Sequence, residues 1–308
     1  MFGYPNPRFE AFVAPARGRA AIWQGLIGLA MIGLAFVGST FAVLLSPGLF
    51  AGREGIRRLG EELIASRAPI GMVLILLTFW GMAAGVALAV RFVHRRPFTS
   101  LIGPDLAAAW RQGLRCFGLV LGLFLIGAAL LFVFDPPRPN LAPGIWLAWL
   151  LLALALVFVQ VSAEELVFRG YLLQQLAARF RSPLVWGVLP AVLFAVVHLN
   201  PADHGANALW VVGAIGLFAL AATDLTVRAG NLGPAIAFHF ANNIIALLLV
   251  SLDGPMTGFA LYTTAFAADD VEALRPWLLL DAAGVVLAWL LCRVVVAKDL
   301  QSHPRPLI

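Results

Sequence analysis

Glu164, Glu165 and Arg169 stand in the stretch VSAEELVFRGYLLQQL, directly after sixteen residues, IWLAWLLLALALVFVQ, that carry no charge. An ionisable group inside an apolar helix costs about 2.5–3.5 kcal/mol on insertion scales, so each one is a functional candidate by default. Glu165 and Arg169 are four apart with the acid first, the favourable order for an ion pair on one helix face. Glu164 is turned about 100° from Glu165. On this reading Arg169 neutralises and holds Glu165, and Glu164 is left without an obvious partner in its own helix. Such a carboxylate needs a polar cavity shared with other helices. Two further apolar stretches supply partners at helical spacing: Phe194 and His198 in FAVVH, and His239 and Asn243 in HFANN. A carboxylate can act as general base on a water that a histidine assists or orients. A second histidine and an asparagine amide can donate to a developing oxyanion. Those residue types fit amide hydrolysis.

The elements that must position them are membrane helices. The chain has 308 residues, 61% hydrophobic and only 12% charged, with a mean hydropathy of +0.92. Soluble domains are about 25% charged, and runs of eighteen or more apolar residues recur, each long enough for a hydrocarbon layer of about 30 Å. Eight spans are expected, at about Ala20–Phe50, Pro69–Phe92, Leu114–Phe134, Ile145–Phe168, Leu184–Leu199, Ala206–Asp224, Pro234–Ser251 and Trp277–Val296. The fifth and sixth are the least secure, because Pro190 and several glycines interrupt them. The fold class is therefore an all-α polytopic membrane protein of about eight transmembrane helices, with its chemistry in helices four to seven. A tail over residues 1–19, one transmembrane helical domain over 20–297 and a second tail over 298–308 complete the expected organisation. The first apolar run is too long for a cleavable signal core and reads as a retained span.

The net charge of +5 comes from arginine, with Lys298 the single lysine. The basic residues fall mainly in alternate connections, which favours both termini in the cytoplasm. No basic run with interleaved aromatics suggests a nucleic-acid partner. Cys116 and Cys292 form no CxxC pair and read as buried apolar thiols. In AGREGIRRLGEELIASR, Ile56, Leu59 and Leu63 share a helical face, which suits either a helix lying on the membrane surface or a solvated connector. Asp203 and His204 in NPADHGAN are expected in a loop near the membrane edge, and Asn242 reads as a helix-packing amide.

EELVFR, FAVVH and HFANN, read as EExxxR, FxxxH and HxxxN in that order within apolar helices, resemble the type II CAAX prenyl endopeptidases and their bacterial relatives, the CAAX protease and bacteriocin-processing family of intramembrane endopeptidases. The resemblance covers about residues 145–250. It implies that Glu164 and His198 activate the water, that His239 and Asn243 make the oxyanion site, and that Arg169 supports the motif through Glu165, with Phe194 beside it. It implies a peptide or lipid-modified protein substrate among membrane lipids, and a bacterial cytoplasmic membrane as the setting. Glu164, His198 and His239 would also offer three ligands to a divalent metal such as zinc; a water activated without a metal is preferred. No HExxH helix or GxSG-like serine motif is present. A non-catalytic bacteriocin-immunity or scaffold protein and, third, a proton-coupled transporter stand as alternatives. The latter lacks the repeat that many transporters show.

One geometric tension remains in the sequence. Measured from the charged turn near Arg181, Glu164 and His198 both lie about 26 Å deep at 1.5 Å per residue. His239 lies only six residues past Gly233. Either the segment Gln174–Arg181 projects beyond the membrane, or the turn around Gly230–Pro234 dips inward.

Overall fold

The computed structural model describes residues 6–46 and 48–302. The first five residues of the expected N-terminal tail, the last six of the C-terminal tail, and Pro47 in the expected first span lie outside them. The helices are α1 (Pro7–Val13), α2 (Ile22–Leu45), α3 (Gly48–Ala65), α4 (Pro69–Val93), α5 (Leu106–Phe134), α6 (Pro143–Arg179), α7 (Leu184–Val196), α8 (Pro201–Ala229), α9 (Gly233–Leu249) and α10 (Val271–Ser302). Helix accounts for 81% of the structure. Local chemistry sets the ends. Asp105 caps α5 by accepting from the Ala108 amide at 3.0 Å, and Pro143 opens α6 where its missing N–H costs nothing. Gly230 closes α8 at φ +66°, which an L side chain adopts only under strain.

Six of these helices (α2, α4, α5, α6, α8 and α10) are long and apolar enough to cross a membrane, and α7 and α9 are shorter apolar helices. The expected eight spans thus become six long and two short. At 1.5 Å per residue α7 and α9 reach only about 20 and 25 Å. Of the insecure pair, the fifth is short, but the sixth is long, running from Pro201 to Ala229, and the seventh is the other short one. The fourth runs straight through its charges to Arg179, because Glu165 and Arg169 satisfy one another inside the bundle and the apolar pattern resumes after them.

The surface is apolar where a lipid layer would touch it. Leu151 is 82% exposed, Phe134 75% and Leu34 73%. Inside, Cys116, Phe124, Phe218, Phe238 and Cys292 pack in one cluster between α5, α8, α9 and α10, which places both thiols in the core as expected. A second cluster joins α1, α2, α4 and α6 around Tyr171 and Trp186.

Both described ends of the chain lie at the same end of the bundle. Asn6 donates to the Val227 carbonyl at the foot of α8. Asp299 near the end of α10 accepts from Arg111, Gln112 and Arg115 at the start of α5. The Gly230–Gly233 turn resolves the depth problem, since it lies inside the protein. Asn231 and Leu232 are buried, and the Leu232 amide donates to the Ile102 carbonyl at 2.8 Å. A Cβ on Gly233 would collide with the Ala109 backbone, and one on Gly230 with that of Arg8. The N-terminal segment covers this turn, with the Phe9 ring tilted against Trp186 at 4.8 Å, so α9 starts within the bundle and needs only six residues to reach the level of Glu164.

At the opposite end a small sheet, absent from the expected all-helical plan, joins β1 (Arg138–Pro139), β2 (Val250–Asp253) and β3 (Tyr262–Ala267) in the order β1-β3-β2. The α3 segment is helical, and Ile56, Leu59 and Leu63 are half-buried while Arg57 and Arg58 face out. The segment packs beside α2 and α4, and Ile64 on it is 80% exposed. Asp203 and His204 are in a helical turn, not a loop, because the Asn200 side chain caps it at the Asp203 amide.

Candidate active site

Glu164 and Glu165 end the regular part of α6. Directly after them, Leu166–Leu172 forms a π-helical segment carrying Arg169, a local widening that recurs at functional sites. Glu165 is fully buried and Glu164 is 7% exposed. Glu165 Oε1 accepts from Arg169 at 2.8 Å and from His239 Nδ1 at 2.9 Å. Arg169 also donates to the Ala219 carbonyl on α8 at 3.2 Å and lies 4.5 Å over the Phe194 ring of α7. One ion pair therefore touches α7, α8 and α9. This agrees with the expected holding of Glu165 by Arg169, and adds His239 as a second partner.

Glu164 is not alone in its helix, contrary to expectation. Gln160, one turn earlier on the same face, donates from Nε2 to Glu164 Oε2 at 2.8 Å. The Gln160 oxygen in turn accepts from Asn243 Nδ2 at 3.1 Å, and Asn242 donates to Asn243 Oδ1 at 3.2 Å. Asn242 thus joins the polar chain and is not merely a packing amide. Gln160 was passed over because an uncharged residue at the end of an apolar run raised no electrostatic flag. Its i, i+4 relation to Glu164 was the signal available.

His239 lies between the two acids. With Nδ1 on Glu165, its Nε2 is 3.6 Å from Glu164 Oε2, too long for a direct hydrogen bond. The rings of Phe194 and Phe218 flank the imidazole edge-on at 5.8 and 5.0 Å. His198 joins less tightly. It follows the last turn of α7, is half-buried, and hydrogen-bonds through Nδ1 to the Phe194 carbonyl at 2.7 Å. A carbonyl only accepts, so Nδ1 carries the proton and Nε2 presents a lone pair. His198 is within electrostatic reach of Glu164, and its ring packs on Phe194 at 4.9 Å.

The donor set does not make a metal cage. Among the described residues no group of three His, Cys, Asp or Glu side chains is placed to hold an ion. Of the three expected ligands, His239 has Nδ1 on Glu165, a contact that a ligating histidine also makes, and turns Nε2 toward Glu164. The span-by-span reading also missed Asp281 and Arg293 in α10 and the fully buried Asp224 in α8, which accepts from Arg228 and Trp289.

Fold and site define a polytopic helical membrane protein with a Glu-Glu-His-Asn cluster in its second half, its two acids and histidine buried. Residues 144–245, which hold every member of that cluster, match the family model Type II CAAX prenyl endopeptidase Rce1-like. The chain is also 29% identical over 257 residues to Uncharacterized protein YyaK of Bacillus subtilis (strain 168), covering 79% of this chain and 82% of that protein. No solved structure matches it.

Proposed function

We propose that the protein is an intramembrane endopeptidase that hydrolyses a peptide bond of a membrane-associated substrate, with a prenylated peptide as the first class to test. The observation that carries this is Glu164, an acid in the apolar layer whose Oε2 is aligned by Gln160 and faces His239 Nε2 at 3.6 Å. His239 Nδ1 is held by Glu165, and the 3.6 Å between its Nε2 and Glu164 Oε2 is too long for a hydrogen bond, so that carboxylate remains able to take a proton from the nucleophile. In the proposed cycle Glu164 removes the proton from water while His198 Nε2 orients that water. His239, when its Nε2 carries a proton, and the remaining N–H of Asn243 Nδ2 are the proposed donors to the oxyanion. Glu165 and Arg169 fix His239 and take no part in bond changes. The match to the Rce1-like model supports the reaction class, and the basic end, with both termini, is assigned to the cytoplasm.

Replacing Glu164 by Gln keeps the shape and removes the base. Purified E164Q is expected to give at least about a 100-fold drop in cleavage, the scale of general-base catalysis, with an unchanged melting temperature. Full turnover by that variant on a peptide the wild type cuts removes the proposed base. A second reading, a non-enzymatic immunity or scaffold protein, draws on the Glu165–Arg169 pair tying α6 to α8 and α9. It predicts that Glu164 and His198 variants lose protection only in step with protein level.

A further inference from the structure

Away from the acid cluster, at the basic end, an open groove of about 730 Å³ lies between the start of α2 and the end of α6, lined by Arg17, Ile22, Trp23, Leu26 and Arg179 among others. Its wall is strongly apolar and outward-facing, with Ile22 57%, Trp23 61% and Leu26 60% exposed. Arginines stand at its rim. Arg17 pairs with Glu10, and Arg179 is exposed without an acidic partner among the described residues, so the rim carries a net positive charge.

The wall is held in place. Arg19 donates to the Val93 carbonyl at 3.1 Å, and His94 Nδ1 donates to the Arg19 carbonyl at 3.0 Å. Tyr171 reaches the Gly25 carbonyl at 3.3 Å, and Gly28 makes room for its hydroxyl, where a Cβ would collide. A groove anchored at these points does not need to be assembled by its occupant.

From this combination of apolar trough and cationic rim we infer that the groove binds one anionic glycerophospholipid of the surrounding leaflet. The acyl chain lies along Ile22, Trp23 and Leu26, and the phosphate meets Arg179 and Arg17. A trough alone would accept any lipid tail. The unneutralised Arg179 selects the anionic headgroup, as basic residues beside a membrane surface do, and Trp23 suits the interfacial level.

The test is native mass spectrometry of the full-length protein in micelles, titrated with phosphatidylglycerol or phosphatidylcholine and, separately, with inorganic phosphate. Wild type is expected to retain one phosphatidylglycerol with about tenfold preference over phosphatidylcholine, the scale of one to two cationic contacts. Binding should raise its melting temperature by linkage. R17Q/R179Q is expected to lose the preference, and R179Q alone, which leaves the Arg17–Glu10 pair intact, to lose most of it. R181Q, altered at an exposed arginine outside the groove, should keep it. Equal retention of both lipids by the wild type overturns the proposal. So does wild-type behaviour of R179Q, or displacement of the lipid by inorganic phosphate at comparable concentration. None of these outcomes depends on peptide cleavage.

Discussion

Two Glu–Arg arrangements in this molecule share local geometry and differ in almost everything else. On α3, Arg57 bridges Glu54 and Glu61 at 2.6 Å each, and all three side chains are more than half exposed. On α6, Arg169 meets Glu165 at 2.8 Å with both fully enclosed. Water screens the first cluster and competes for its charges, so its formation contributes little. The Arg57 guanidinium, with that of Arg58, still holds the Glu54 carboxyl below its usual range. The second pair has no water to fall back on, and removing one partner strands the other. The same i, i+4 spacing is decoration in one place and the centre of a site in the other. Burial decides which.

The largest expected effect follows from breaking the enclosed pair. R169M leaves the Glu165 carboxylate with only His239, and stability should fall by about 3–5 kcal/mol, read as a lower melting temperature in micelles. E165Q/R169M should recover part of that loss, because the stranded charge is gone. A double variant as unstable as R169M means the pair is not the unit described here.

Next comes the turn that sets the depth of His239. G233A drives a methyl into the Ala109 backbone and should cost about 1–3 kcal/mol as an overpacking change. Because α9 must then shift, cleavage should fall further than stability does. Activity that simply tracks the folded fraction would show that the depth of α9 is not critical.

A smaller effect is expected at His94, just beyond α4. Burial, opposed by the hydrogen bond to the Arg19 carbonyl and reinforced by the charges of Arg96 and Arg19, holds its imidazole below the ordinary histidine range. A lowered folded value means that protonation opposes folding. The stabilising contribution is present above the unfolded value of about 6.5 and is lost as pH falls through the folded one. H94N, whose amide can still donate to the Arg19 carbonyl, should flatten the loss of melting temperature on acidification, and an unchanged slope would remove this group from the account. The smallest effect belongs to α3, where R57Q is expected to leave the melting temperature unchanged at moderate salt. A clear drop there would erase the contrast between the two pairs.

Much of the site was legible because its residues are expensive. Glu164, Glu165, Arg169, His198 and His239 stand out in apolar runs, and four-residue spacing pairs Glu165 with Arg169 and Phe194 with His198 whatever the tertiary structure. Gln160 was less legible, since it carries no charge and only its i, i+4 spacing to Glu164 marks it, and its value depends on Asn243 arriving from α9. The long helices were readable from run length. The seventh span was misjudged because α9 is short for a tertiary reason, beginning at a turn sealed by α1 and the Ile102 carbonyl.

The sequence by itself determined that this is a helical membrane protein with a concentrated polar cluster in its second half, because hydrophobicity and helical period are local properties. Only the tertiary structure decided that His239 sits between the two acids, that Gln160 and not empty space meets Glu164, and that the Gly230–Gly233 turn lies inside the bundle. Those facts depend on how far each helix is pushed along its neighbours. That displacement is set by backbone contacts at two glycines and by the segment folded over them, and no periodicity within a single helix encodes it.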